Sequence, residues 1–158
     1  MRWFRRVPQP LAPPAADPQD DAVALLHALA ELNRYVNRSA GRLPAVAVVK
    51  ARWVTDTLRD ILETAEIRPV ETTAMLTVRG TVRDYLPTTL RSYLALDDEA
   101  SGAEASGRTP ADLLVEQLDT LLESAAGTLG AVRRQDADAL ATQGHFLRAK
   151  FSGSDLDL

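Results

Sequence analysis

The chain has 158 residues, a formal net charge of -4, 46% hydrophobic but only 5% aromatic residues, and no cysteine. A chain of this length suits one domain with a real core, and the lack of cysteine excludes disulfides, thiolate nucleophiles, iron–sulfur clusters and cysteine-ligated zinc. Ala, Leu and Val dominate the apolar residues, which favours closely packed helices over a β-sandwich and predicts an all-α fold.

The charge is uneven. Arg2, Arg5 and Arg6 face only Asp17 in the first 19 residues, about +2, so the body carries about -6. An acidic body argues against nucleic acid as a partner, because phosphate contacts need a basic face. No window reaches the ~20 apolar residues of a spanning helix, and the basic start runs into prolines instead of an apolar leader core. The expected location is therefore cytoplasmic, with peripheral contact at the inner membrane face as the alternative.

In chain order, five prolines between Val7 and Asp20 deny a helix to the opening stretch, so residues 1–16 read as a basic, aromatic and proline-rich tail. A helical domain over 17–151 follows. Asp17, Pro18 and Asp20 stand as cap, first-turn proline and N3 carboxylate, and Val23, Leu26, Leu29, Ala30 and Val36 follow at helical spacing. Gly41 is placed to end this helix in a left-handed cap. Pro44 opens a second helix to about Glu66, with Val46, Val49, Trp53, Leu58, Ile61 and Leu62 as its apolar face.

The third helix starts near Glu71 and presents Met75, Val78, Val82, Tyr85 and Leu86 before meeting Pro87. Proline there removes a donor and crowds the carbonyl at 83, so the helix bends, or stops and restarts over Thr88–Leu96. Residues 97–108 are acidic and small, and read as a flexible loop. In "TPAD", Thr109 caps, Pro110 takes the first turn and Asp112 stands at N3. A long helix follows with Leu114, Leu118, Leu121, Leu122, Ala125, Leu129 and Val132 inward, weakened or closely approached at Gly127 and Gly130. Asp136 is read as the cap of a last helix carrying Leu140, Leu147 and Phe151, and 152–158 as a polar tail. The sum is a four- to five-helix up-and-down bundle with a proline-bent third helix.

Chemistry-bearing patterns are few. Asp112, Glu116, Asp119 and Glu123 line one side of a helix, yet neither His27 nor His145 has a glutamate three residues earlier, so the stripe reads as a solvated face and no metal or other cofactor is expected. No nucleophile elbow and no glycine-rich phosphate loop occurs. In "MRWFRR", Arg2, Trp3, Phe4, Arg5 and Arg6 are residue types of a membrane–water interface. Three arginines contribute about 1 kcal/mol each near an anionic surface, enough only for weak, reversible contact. A start that binds nothing and a protein partner that docks the aromatics stay open beside it.

The run Tyr85, Leu86, Pro87, Thr88, Thr89, Leu90, with the leucine-patterned helix from Leu113 to Leu122 and a shorter closing helix, resembles the XpaC family, named for 5-bromo-4-chloroindolyl phosphate hydrolysis and associated with the TelA toxic-anion resistance proteins. The resemblance covers the C-terminal half. It implies a helical protein tied to the envelope or to anion stress, and it carries no catalytic residue across. Two kinds of function follow as expectations. The first is a non-enzymatic interaction or scaffold module, with a protein partner or self-association at Tyr85, Leu86, Pro87, Leu90 and Tyr93. The second is a peripheral membrane stress protein acting through residues 2–6, and a phosphate-ester hydrolase ranks behind both.

Overall fold

A computed structural model describes residues 18–96 and 107–152. Every regular element among them is helical: α1 (Pro18–Ser39), a 3-10 turn (Ala40–Arg42), α2 (Ala45–Ile67), α3 (Thr72–Gly80), a π turn (Thr81–Tyr85), α4 (Leu86–Leu94) and α5 (Pro110–Ser152). The expected tail at 1–16, the cap at Asp17, most of the 97–108 loop and all but Ser152 of the expected 152–158 tail lie outside the described residues; Ser152 is the last residue of α5.

Cross-helix contacts fix the directions. The Arg52 guanidinium donates to Asn37 at 2.6 Å and Thr55 lies 2.7 Å from Asn33, so α1 and α2 are antiparallel. Lys50 pairs with Asp119, Arg133 with Asp60 and Arg68 with Asp136, so α5 runs parallel to α2. Arg79 pairs with Asp21 at 2.6 Å and Arg42 donates to the Leu94 carbonyl at 2.6 Å, which sets α3–α4 parallel to α1. The order is up, down, up, down: a four-helix bundle in which α2 packs on α1 and α5, and α3–α4 closes the other side.

The core stripe of α1 is Ala22, Leu25, Leu29, Leu32 and Val36, all buried, at alternating spacings of three and four. Leu29 and Val36 were legible. Val23 is 44% exposed, Ala30 is exposed and Leu26 is half-buried, because apolar residues occupy nearly every angle of the first turns of α1 and leave its phase undetermined. In α2, Leu58, Ile61 and Leu62 are fully buried, whereas Val46, Val49 and Trp53 face out. Ala47 and Ala51 take the inner positions instead, and small residues there let the helix axes approach closely.

Gly41 does not end α1 in a left-handed cap. It sits within the 3-10 turn, and among the described residues the only glycine at positive φ is Gly107, at 77°. The expected restart at Asp136 is also overturned, since α5 continues unbroken for 43 residues from Pro110 to Ser152. "TPAD" does start it: the Thr109 N–H and hydroxyl donate to Asp112 at 3.0 and 2.8 Å, and the Asp112 N–H donates back to the Thr109 hydroxyl at 3.2 Å, a reciprocal capping box.

Candidate functional site

The passage of the third helix through Pro87 is shaped by spacing as well as by proline. Ala74, Val78, Val82, Leu86 and Leu90 are all buried and recur every four residues. A four-residue step overshoots an α-helical turn by about 40°, so over this length Leu90 would rotate away from the core. The π turn at Thr81–Tyr85 takes up that excess, with the Leu86 N–H bonded to the Thr81 carbonyl five residues back. Pro87, which has no N–H, follows at once, where the hydrogen-bond ladder changes step. The backbone at Thr81, Tyr85 and Leu86 keeps helical dihedrals, so the third helix passes through the proline unbroken.

This geometry splits the stretch that the sequence grouped as a docking surface. Leu86 and Leu90 are fully buried in the bundle core and cannot meet a partner. Tyr85 is 60% exposed, its ring lying against Gly80, and faces the seam with α5 near Thr120 and Leu121. Tyr93 is half-buried on the same seam, beside Pro110 and Leu113. Pro87 points to the other side, into a groove between α1 and α3–α4. The five residues therefore serve the core, one seam and one groove. Residues 2–6, the expected membrane contacts, lie outside the described residues.

The groove beside Pro87 measures about 520 Å³. Ala28, Leu32, Tyr35, Val82 and Pro87 line its floor, and Arg38, Arg83, Arg91 and Glu31 stand around it. Glu31 is paired with Arg34 on its own helix. Arg91 donates from Nε to the Pro87 carbonyl at 3.2 Å, and none of Arg38, Arg83 and Arg91 makes an ion pair among the described residues. All three are exposed. A chain of net charge -4 thus gathers three arginines over one apolar trough. Their signal was present in the sequence: Arg83, Pro87 and Arg91 are spaced by four, which stacks them along one edge of a helix.

The acidic stripe on α5 is divided among separate partners. Asp112 belongs to the capping box, Glu116 pairs with Arg108 and Asp119 with Lys50. The bonds from Thr109, side chain first and then backbone, hold the Asp112 carboxyl below its ordinary value of 3.8, helped by the charge of Arg108. Among the described residues no cluster of three or more His, Asp or Glu side chains could hold a metal ion. His27 and His145 are exposed, and the Arg148 guanidinium lies 3.4 Å from His145 Nδ1. No helix in the described residues is long and apolar enough to cross a membrane.

Comparison with known proteins finds no matching family model, no matching curated protein and no matching solved structure.

Proposed function

We propose that this protein is a non-enzymatic helical scaffold that holds an acidic, amphipathic segment of a partner protein in the groove between α1 and α3–α4. What supports this is the combination of an apolar floor with Arg38, Arg83 and Arg91 around it. Arginine stays charged at any physiological pH and donates to carboxylates in a planar fork. It supplies neither a nucleophile nor a base, and the groove's one carboxylate, Glu31, is taken up by Arg34, so the lining favours holding a ligand. The link to envelope or toxic-anion stress implied by the resemblance at Tyr85–Leu90 is part of the same proposal.

The test is binding of a fluorescent helical peptide of alternating Leu and Glu faces, measured by anisotropy against the full chain. The Arg83→Glu/Arg91→Glu double variant should weaken binding at least about tenfold, and added salt should weaken the wild type, since exposed charges are screened within about 10 Å at 0.1 M salt. Equal binding by both proteins at low salt, with folding retained, removes the groove from the account. Leu90 is unsuitable as a probe of docking because a charge there would enter the core.

A further inference from the structure

The end of the bundle where α1 begins carries a second apolar groove, with acid beside it. This groove lies between the start of α1, the α2–α3 connection and α3, and measures about 350 Å³. Pro69, Val70, Met75 and Leu76 line it, with the Asp21–Arg79 ion pair also in its wall. Leu76 is 60% exposed. Glu71, between Val70 and Thr72, is exposed, and its carboxylate has no partner among the described residues. The same holds for Glu66. Glu66 follows Thr55 by eleven residues, three helical turns, so it lies on the side of α2 that Thr55 turns toward Asn33 of α1.

What reaches this groove is set by the chain itself. Seventeen residues precede Pro18, and α1 delivers them one turn from Asp21, a residue of the groove wall. Extended at ~3.1 Å per residue, the stretch from Leu11 to Pro18 spans about 22 Å, over twice the ~10 Å between packed helices. Leu11 and the residues before it can therefore cross from α1 to α3. Their chemistry suits the surface. Pro8, Pro10, Pro13 and Pro14 carry no N–H, so an extended chain here covers apolar surface and leaves few backbone donors without a partner. Trp3, Phe4, Val7 and Leu11 supply apolar side chains, and Arg2, Arg5 and Arg6 the charge opposite to Glu66 and Glu71. Asp17, the one acid of the segment, stands at its base beside Pro18.

Other surfaces suit this segment less. The groove beside Pro87 is surrounded by Arg38, Arg83 and Arg91, which repel it, and the exposed end of α5 belongs to a helix that stands across α2 from α1. Tethering also separates this segment from the same segment of another copy. A short linker holds its own end at an effective concentration on the order of millimolar, far above that of a second chain in micromolar solution.

We infer that residues 1–17 strap their own bundle: the proline-rich stretch crosses the groove with its apolar side chains on Val70, Met75 and Leu76, and the arginines beyond it meet Glu66 and Glu71. Trp3 and Phe4 are then withdrawn from water and from any other surface.

The full chain has no cysteine and two tryptophans, which gives two readouts. In Trp53→Phe, Trp3 is the only indole, and its fluorescence should be at least about threefold less quenched by acrylamide than that of a free peptide of residues 1–17, because a docked ring is shielded from water. Glu66→Lys/Glu71→Lys, or salt raised to about 1 M, should remove most of that protection. Leu76→Asp, at an exposed site, should do the same with the bundle's melting unchanged. On oxidation Leu11→Cys/Leu76→Cys should link within one chain, while Leu11→Cys/Gln135→Cys, its second site exposed on α5 at the same end of the bundle, should not. Trp3 as open to quencher as in the free peptide overturns the inference, and so does equal linking at Leu76 and Gln135. Links between chains instead of within one overturn it in favour of a second copy. Protection of Trp3 that appears only with phosphatidylserine vesicles overturns it in favour of lipid.

Discussion

Residues 110–132 and 133–152 form one continuous helix, yet they are held by different things. The first stretch lies against α2 and α4 and buries Leu114, Leu118, Ala125 and Val132. The second makes cross-helix ion pairs at its start, through Arg133 with Asp60 and Asp136 with Arg68, and from 137 to 150 its residues are exposed, apart from the half-buried Gly144. Backbone geometry is the same in both halves, so helix formation here is no measure of stability. Burial of one face supplies most of a helix's stability in a folded protein, and among the described residues only the first half has it.

The largest expected difference is in side-chain truncation. Leu118→Ala opens a cavity at a fully buried site and should cost about 2–5 kcal/mol of unfolding free energy by denaturant titration. Leu140→Ala, at a site 74% exposed, should change it by less than about 0.5 kcal/mol. Equal losses would mean that the extension folds with the bundle and would break the comparison.

Glycine replacements sharpen it. A Cβ added at Gly127 or at Gly144 meets nothing within 4 Å, so alanine at either position should favour the helix by about 1 kcal/mol. Gly127→Ala should raise the global melting temperature. Gly144→Ala should leave melting unchanged and slow hydrogen exchange only within residues 137–152. In wild type, amides from 114 to 132 should exchange through global unfolding and those beyond 137 through local fraying.

The smallest effect is at the start of the packed half. Asp112 titrates below its ordinary value of 3.8 because Thr109 donates to its ionised form. A carboxyl with a depressed folded pKa contributes stability above the unfolded value and loses it as pH falls through the folded one. The stability gap between wild type and Asp112→Asn should therefore be present at neutral pH and close below about pH 3.8. A gap unchanged at pH 2 would remove the capping box from the stability of α5.

How much was legible varied with the kind of signal. Starts written in backbone chemistry were read correctly at Pro44, Glu71 and Thr109, because a proline or a cap acts on its own neighbours. Asp136 misled for the same reason: an aspartate can begin a helix, but here it lies within one and faces Arg68 across the bundle. The π turn was written in the four-residue repeat from Ala74 to Leu90, and it hid behind Pro87, the more conspicuous reason for a change in the helix. As for the candidate groove, Pro87 was singled out, but its arginines were not, since Arg38 comes from a helix that is remote in sequence.

The sequence alone determined that this chain is all-helical, where most of its helices begin, and that its third helix runs into a proline with leucines on either side. Those are consequences of local hydrogen bonding, side-chain branching and period. Tertiary structure decided which face of α1 and α2 turned inward, that α5 would run on past Asp136, and that three arginines from two helices would share one groove. These depend on which surfaces meet, and a periodic pattern with apolar residues at several angles admits more than one answer until a neighbouring helix selects it.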